Sequence, residues 1–482
     1  GVSRRAEIQR HLMPVLLGWF ADGVDADAGL LGFRIVSESL GTTSWYLRML
    51  RDSPAAAERL CHILSSSRYI TDLLEDAPTS ITWLDKVADL QPLGAAALKA
   101  EIASLLSRHD DSAEAMRAVR YLRRREILRI AMGDALNLLG VQQVCTGLAT
   151  VDECTIGAAL ALAEREEITA KEREEAAGIR EIPEEEPKNP LLTEIAVIAM
   201  GRLGGAENGF GSDADVMFVH RPVEGAGEDE AQPQANRIVN RLMQLIKQPV
   251  RPAIRAERPL EVDADLRPEG KQGAMVRSLD SYRAYYERWA ETWEFQALLR
   301  ARPIAGSEEL GRAFIELIDP YRYPREFTAE QAQQVRRMKA RVEHERMPHG
   351  ADRTRQLKLG RGGLSDVEWL VQLIQLQHAH EVEGLRTTST LEALNAAVEA
   401  NLMAAEDAEV LRDAWLLATK IRGGNVLRGV RQSDLLPTLR DALEAVARWS
   451  GYTPGNARQL EEDYLRVTRN ARKVYERLFF EG

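Results

Sequence analysis

The sequence predicts an α+β fold that is mostly helical, with a small sheet near the middle of the chain and helical bundles on either side. Three observations carry this expectation. Alanine, arginine and leucine are abundant, while aromatic residues make up only 6% of the 482, a balance that favours helices. Apolar residues from Val119 to Ala131 recur at spacings of three and four, as in a helix with one buried face. Between Ile195 and Leu266 the apolar residues instead form short branched runs or alternate, as strands do.

A length of 482 residues exceeds one ordinary core and suggests roughly three units at about 150 residues each. The first, 1–163, reads as helical. Ser53-Pro54 has the form of an N-cap followed by proline at the first helical position, and Pro78 and Gly94 punctuate other segments. From 164 to 190 the runs Glu164-Arg165-Glu166-Glu167 and Glu184-Glu185-Glu186-Pro187 read as a solvated helix end and an acidic linker. The core, 191–310, contains three expected strands, at Ile195–Met200, Asp213–Val219 and Leu260–Leu266, with a helix from Asn236 to Ile246 before the third. Beyond Ser281 the chain reads as helical to its end, so 311–482 forms a C-terminal helical domain. It is broken at Pro320–Pro324 and by a tight Gly360-Arg361-Gly362-Gly363 loop that opens a helix at Leu364.

Composition narrows the function classes. Three cysteines, Cys61, Cys145 and Cys154, have no regular spacing, which disfavours a disulfide framework or zinc site and suits a reducing cytoplasm. A formal net charge of −11 disfavours nucleic acid as a partner. No apolar run approaches the ~18 residues of a membrane span, and Gly1-Val2-Ser3-Arg4-Arg5 lacks the apolar core of a secretory signal. His378 and His380 stand two apart, poor spacing for a helical metal site, and His109-Asp110 is a lone doublet.

The stretch that carries chemistry runs from Gly201 to Asp215, Gly-Arg-Leu-Gly-Gly-Ala-Glu-Asn-Gly-Phe-Gly-Ser-Asp-Ala-Asp. Asp213 and Asp215 lie two apart on a strand, so their side chains leave the same face. Two neighbouring carboxylates repel unless a cation lies between them, and oxygen-only ligands suit Mg²⁺ better than zinc. The glycines let a backbone approach closely, and turn N–H groups can cradle phosphate. Glu261, Asp263 and Asp265 alternate on the third strand and would point one way, so that one of them could complete a two-metal site for in-line phosphoryl displacement.

Gly204-Gly205 followed by Ser212-Asp213-Ala214-Asp215 resembles the signature of the DNA polymerase β superfamily of nucleotidyltransferases. The longer string resembles one branch, the glutamine synthetase adenylyltransferase family, bifunctional enzymes with two such domains in tandem. Leu122–Ala131, Val262–Pro268, Trp293–Arg302 and Lys358–Trp369 extend the resemblance over nearly the whole chain outside the acidic linker. It implies a polymerase β-like core with a small mixed sheet. It also implies AMP transfer from ATP to a tyrosine of glutamine synthetase, with release of pyrophosphate and two Mg²⁺ ions at the site. Glutamine and a PII-type signal protein are the implied regulators. A single Gly-Gly…Asp-x-Asp unit corresponds to one half of the tandem. Ser365-Asp366 after the late Gly-Gly resembles the adenylylating, C-terminal half; the adenylyl-removing half typically has an arginine-glutamate pair there. A phosphorolytic adenylyl remover, and a non-catalytic module that binds glutamine synthetase or a PII-type protein, are the alternatives.

The resemblance also distributes roles. Asp213 and Asp215 are expected to bind both metals, with Asp263 as third ligand and base. Ser212 and the Gly204-Gly205 backbone are expected to contact the triphosphate, with Arg202, Arg300 and Arg302 as further phosphate contacts. Glu207, Asp265, Asp366 and Glu368 are candidates for supporting the active site, although Asp366 could equally favour the start of its helix. Arg202 stands where lysine is frequent, Asn208 where an apolar residue is frequent, and Asp265 where a neutral or basic residue is usual.

Overall fold

The computed structural model describes residues 4–40, 43–176, 191–254, 257–429 and 433–480. Among these, the N-terminal region contains α1 (Arg4–Ala21), α2 (Ala26–Leu40), α3 (Ser44–Asp52), α4 (Pro54–Ser66), α5 (Arg68–Asp76), α6 (Ala95–Arg108), α7 (Ser112–Ala135) and α8 (Val141–Ala176). The central region runs β1 (Thr193–Ala199), α9 (Gly201–Gly204), β2 (Ala214–Pro222), α10 (Glu228–Lys247), β3 (Val262–Asp263), β4 (Val276–Ser278), α11 (Leu279–Arg288), α12 (Thr292–Leu298) and β5 (Arg302–Gly306). After it come α13 (Glu308–Arg322), α14 (Ala329–Arg346), α15 (Leu364–His378), α16 (Thr390–Glu399), α17 (Ala405–Arg428), α18 (Arg440–Trp449) and α19 (Ala457–Phe480).

The sheet is small and mixed, in the order β3-β2-β1-β5. β1 lies antiparallel to both β2 and β5, while β3 and β4 pair in parallel with successive parts of β2. Both sheet faces are covered, which is why β1 reads as an unbroken apolar run rather than an alternating one. Ile195, Val197, Val216 and Phe218 face a core shared with both helical regions. Ala196, Ile198, Met217 and Val219 face a second cluster with Tyr282, Phe314 and Ile318. Phe314 and Ile318 belong to α13, so the central unit extends past the expected boundary at 310.

Several expectations are corrected here. Helix α8 runs through the boundary at 163 to Ala176, so the expected helix end is the continuation of an N-terminal helix and no linker begins at 164; the second acidic run, at 184–187, lies outside the described residues. Glu166 and Glu167 are not merely solvated but bond Arg241 and Arg237 of α10 at 2.6 and 3.0 Å. Burial pushes the Glu164 carboxyl up to about 7. A window of α8 is also long and apolar enough to cross a bilayer, yet 72% of it is buried inside the fold. The third strand shrinks to two residues because the chain turns at Ala264. β5 interrupts a stretch expected to hold helices alone, β4 lies in a segment for which no element was expected, and α13 continues through Pro320.

The arginine-rich face of α7 ties the N-terminal helices to the loops around the central strands. Arg120 forks onto Glu257 at 2.6 and 2.7 Å and reaches the Gln248 carbonyl. Arg123 bonds the Arg258 carbonyl and Asp152, and Asp152 accepts from the buried Asn208 amide at 2.9 Å. The glycine-rich loop and the approach to β3 are therefore held by the same helix pair. The C-terminal helices close around Trp415, Trp449, Tyr464, Tyr475 and Phe479, all buried. Ser67 at the start of α5 donates to the Leu427 carbonyl in α17 at 2.6 Å, joining the two helical regions.

Candidate metal centre

Asp213 immediately precedes β2, Asp215 is its second residue, and Asp263 pairs directly with Asp215 in the parallel register of β3. Each of the three offers a carboxylate oxygen, and these oxygens all lie within 4.8 Å of one another. Asp213 is exposed and the other two are half-buried. Burial, then the charges of Asp213 and Asp263, pushes the Asp215 carboxyl up to about 6, against the pull of Lys358 and Arg346. Three converging hard oxygen donors, one of them strained electrostatically toward its neutral form, fit a divalent cation such as Mg²⁺. Asp263 is further oriented by the Asp265 N–H, which donates to its Oδ1 at 2.7 Å.

Asp265 itself lies outside the three-carboxylate cluster. The chain has left the strand by that point, so Asp265 does not share the alternation expected of it; its carboxylate sits 3.3 Å from Lys271 and 3.5 Å from Arg267. Arg267 holds the turn closed by donating to the carbonyls of Ala264, Lys271 and Gly273. A groove of about 560 Å³ beside Asp213 and Asp263 is lined by Met243, Lys247, Asp265 and Met275. A larger cavity, about 1120 Å³, lies between α2, α5 and α17 and contains none of the carboxylates.

The glycine-rich turn differs from expectation in which glycine meets the site. Gly201 takes a left-handed φ of +52°, and a Cβ there would come within 2.2 Å of Asp215 Oδ2. The sequence reading named Gly204 and Gly205 instead. Their amides donate to the Met200 and Gly201 carbonyls, and a Cβ on Gly204 would lie 1.8 Å from the Arg300 carbonyl. They let Arg300 pack behind the turn. Gly201→Ala is expected to displace the Asp215 carboxylate and weaken Mg²⁺ binding, read by metal titration; the left-handed backbone adds a penalty of about 1–2 kcal/mol, read by thermal unfolding.

Arg300 and Arg302, expected at phosphate, are engaged with protein groups. Arg300 is buried, pairs with Glu207 at 3.2 Å and donates to Thr388 O and Thr390 Oγ1. Glu207 accepts from the Thr390 N–H at 2.6 Å at the start of α16, and so acts as a buried link between loop and helix. Arg302 donates to the Leu203 and Gly204 carbonyls, both at 3.0 Å, and pairs with Glu153. Ser212 is half-exposed and its Oγ accepts from the Gly209 N–H at 3.0 Å, which sets the turn before Asp213. Asp366 is fully buried among Lys339, Arg472 and the Gly362 N–H, away from the carboxylate cluster.

Arg202, next in sequence to Gly201, donates to Glu368 at 3.3 Å, and Glu368 also accepts from Trp415 Nε1 at 3.4 Å. Glu368 thus positions Arg202. Sequence reasoning gave no role to Gly201, Lys358 or Arg346. Gly201 and Lys358 open the very strings that carried the resemblance, so their place in those strings was the available signal.

A family model described as glutamate-ammonia ligase adenylyltransferase matches residues 57–317, more than half of the chain. The chain belongs to this family. The glutamate-ammonia ligase adenylyltransferase match contains all three carboxylates, and a second model, GlnD PII-uridylyltransferase, matches residues 336–479. Relatives from Streptomyces avermitilis and Leifsonia xyli are each 48% identical over 100% of this chain. One from Mycobacterium tuberculosis is 45% identical over 99% of it. All three are named bifunctional glutamine synthetase adenylyltransferase/adenylyl-removing enzyme. The chain spans about half of their length, 47%, 45% and 46% respectively.

Proposed function

We propose that this chain transfers AMP from ATP to a tyrosine of glutamine synthetase, releasing pyrophosphate, with Asp213, Asp215 and Asp263 holding two Mg²⁺ ions. The observation that carries the reading is the convergence of these three carboxylates in a chain whose relatives are named for adenylyl transfer and removal. Bound there, Mg²⁺ would polarise the transferring phosphoryl group and favour the ionised form of the acceptor phenol.

The protein groups have separable tasks. A phenol with a pKa of about 10 is a poor nucleophile at neutral pH, so its proton must leave as attack begins. Asp263 is the acceptor we assign, since the Asp265 amide fixes one of its oxygens and thereby orients the carboxylate, while the other accepts no hydrogen bond among the described residues. Ser212 sets the turn that presents Asp213. Arg202, held by Glu368, offers a fixed cation to the phosphates.

The test is a transfer assay with purified glutamine synthetase, α-labelled ATP and Mg²⁺, followed by peptide mapping. Label on a tyrosine is the expected outcome. The relatives' names also cover the reverse task, so the assay is paired with adenylylated glutamine synthetase and orthophosphate. ADP release without forward transfer would assign the adenylyl-removing reaction instead. Absence of any nucleotide binding would leave a non-catalytic binding module.

A further inference from the structure

The carboxylates account for metal binding but not for the way a protein substrate reaches them. The groove of about 560 Å³ beside Asp213 and Asp263 omits Asp215, Gly201 and the rest of the glycine-rich turn. It therefore opens on the side of Asp263, the proton acceptor assigned above. Its wall contains every residue from Pro259 to Asp263. A groove on one face of a strand would meet every second residue. An unbroken run means that this groove follows the backbone edge, and Leu260 and Val262 belong to the run although their side chains are buried in the core.

That edge is open. β3 is the end strand of the sheet. The Glu261 carbonyl accepts from the Ala214 N–H of β2 at 2.8 Å, and Val262 is the residue in register with Ala214. In a parallel ladder such a residue turns its own N–H and C=O away from the partner strand, so those of Val262 face outward, where no described residue bonds them. An unpaired strand edge is a template for one more extended segment. Met243 and Met275, both half-buried, line the same groove, and thioethers pack well against aromatic rings. Among the cations of the groove, Lys271 is paired with Asp265 at 3.3 Å, and Arg267 is spent on carbonyls of its own turn. Lys247, exposed in the last turn of α10, has no hydrogen bond or ion pair among the described residues. Outside the metal ligands the unpaired anion is Glu261, which also borders an adjoining cavity containing Arg123 and Arg258.

We propose that this groove takes the acceptor segment of the protein substrate as an extended strand paired with the free edge at Val262. The segment lays its tyrosyl ring between Met243 and Met275 and sets an acidic side chain against Lys247. The inference rests on the nucleotidyltransfer reading above and adds the docking site of the acceptor. Main-chain pairing fixes the depth of the segment, and the groove ends at Asp213 and Asp263, so the phenol is delivered where its proton can leave. During transfer the tyrosyl oxygen bonds to the α-phosphorus and its proton passes to Asp263. The bond from the α-phosphorus to the bridging oxygen breaks, and its electron pair departs with pyrophosphate.

The test uses purified glutamine synthetase as the probe, with its Kd from surface plasmon resonance and its KM from the transfer assay, and calorimetry for ATP with Mg²⁺. Lys247→Glu is expected to weaken glutamine synthetase by about 10-fold, as an attractive charge becomes a repulsive one, and Lys247→Arg to recover most of the loss. Val262→Pro removes the outward N–H, a place where an edge strand tolerates proline, while Val262→Ala keeps it. The proline variant is expected to be about 3- to 10-fold weaker than the alanine one, the worth of one hydrogen bond. ATP affinity is expected to match wild type in all four. Undiminished glutamine synthetase binding by Lys247→Glu, or a folded proline variant no weaker than the alanine one, would overturn the proposal. Where Val262→Pro unfolds, Lys247→Glu on its exposed helix end decides alone. Weakened ATP with glutamine synthetase unchanged would give the groove to the nucleotide. In each of these outcomes wild-type labelling of a tyrosine keeps the transfer reading alive; wild-type protein that labels none would overturn both.

Discussion

Asp213→Asn is expected to abolish AMP transfer, by roughly 10³-fold or more given the several kcal/mol a catalytic metal supplies, while making the metal-free protein more stable. The two effects have one cause. Asp213 is exposed, so asparagine fits without repacking, but its charge helps to push the Asp215 carboxyl up to about 6. The folded value lies above the unfolded one of about 3.9, so the fold binds that proton more tightly than the unfolded chain. The neutral carboxyl's stabilisation is complete below about pH 4 and is lost as pH rises through about 6, up to about 3 kcal/mol in all. Metal-free wild type should therefore melt lower at pH 7.5 than at pH 5. Mg²⁺ should raise the melting temperature at pH 7.5 more than at pH 5. In Asp213→Asn both differences are expected to shrink, alongside the loss of label transfer. A Mg²⁺-induced shift equal to that of wild type would remove Asp213 from the metal site. Scanning fluorimetry at the two pH values, with and without Mg²⁺, makes the measurement.

The Asp-x-Asp pair was legible because strand alternation is a local property: Asp215 lies in β2 and Asp213 abuts its first residue, close enough to the strand for a period of two to bring both carboxylates together. The same rule failed for Asp265, since only Val262 and Asp263 hold strand geometry before the chain turns. β5 escaped notice because Pro303 and Gly306 weaken any strand pattern; they are tolerated on an edge strand whose pairing with β1 is irregular at Val197 and Ile198. Long-range partners were the other blind spot. Glu166 and Glu167 looked solvated because their arginines lie 75 and 70 residues ahead. Arg300 lies near the glycine-rich turn in space, but sequence cannot show which way a guanidinium fork points, and this one points at Thr388, Thr390 and Glu207. Arginine near a phosphate site is thus weak evidence for phosphate contact until its donors are accounted for.

Asp366→Asn is expected to cost about 3–5 kcal/mol of stability, the usual penalty for breaking a buried ion pair from one side. The carboxylate has no solvent exposure and accepts from Lys339 Nζ at 2.8 Å, Arg472 at 3.0 Å and the Gly362 N–H at 2.7 Å. It thereby fastens α14, α15 and α19 to the glycine-rich loop at Gly362. Lys339 is itself 2% exposed and would keep only Glu343 as a carboxylate partner. Pairing Lys339→Met with Asp366→Asn removes the buried ammonium that the amide would leave without its carboxylate while keeping an acceptor for the Gly362 N–H, and is expected to be less destabilising than Asp366→Asn alone. Denaturant unfolding of the three proteins measures this. Mg²⁺ affinity below the unfolding transition should match wild type in each, because Asp366 lies outside the carboxylate cluster. A stable Asp366→Asn with weakened Mg²⁺ binding would instead return Asp366 to the metal site. The Ser365-Asp366 pair resembles the adenylylating half of the family, so the expected result has a wider consequence. Asp366, on which that resemblance rests, would then act through the packing of α14, α15 and α19 against the loop at Gly362 rather than at the metals.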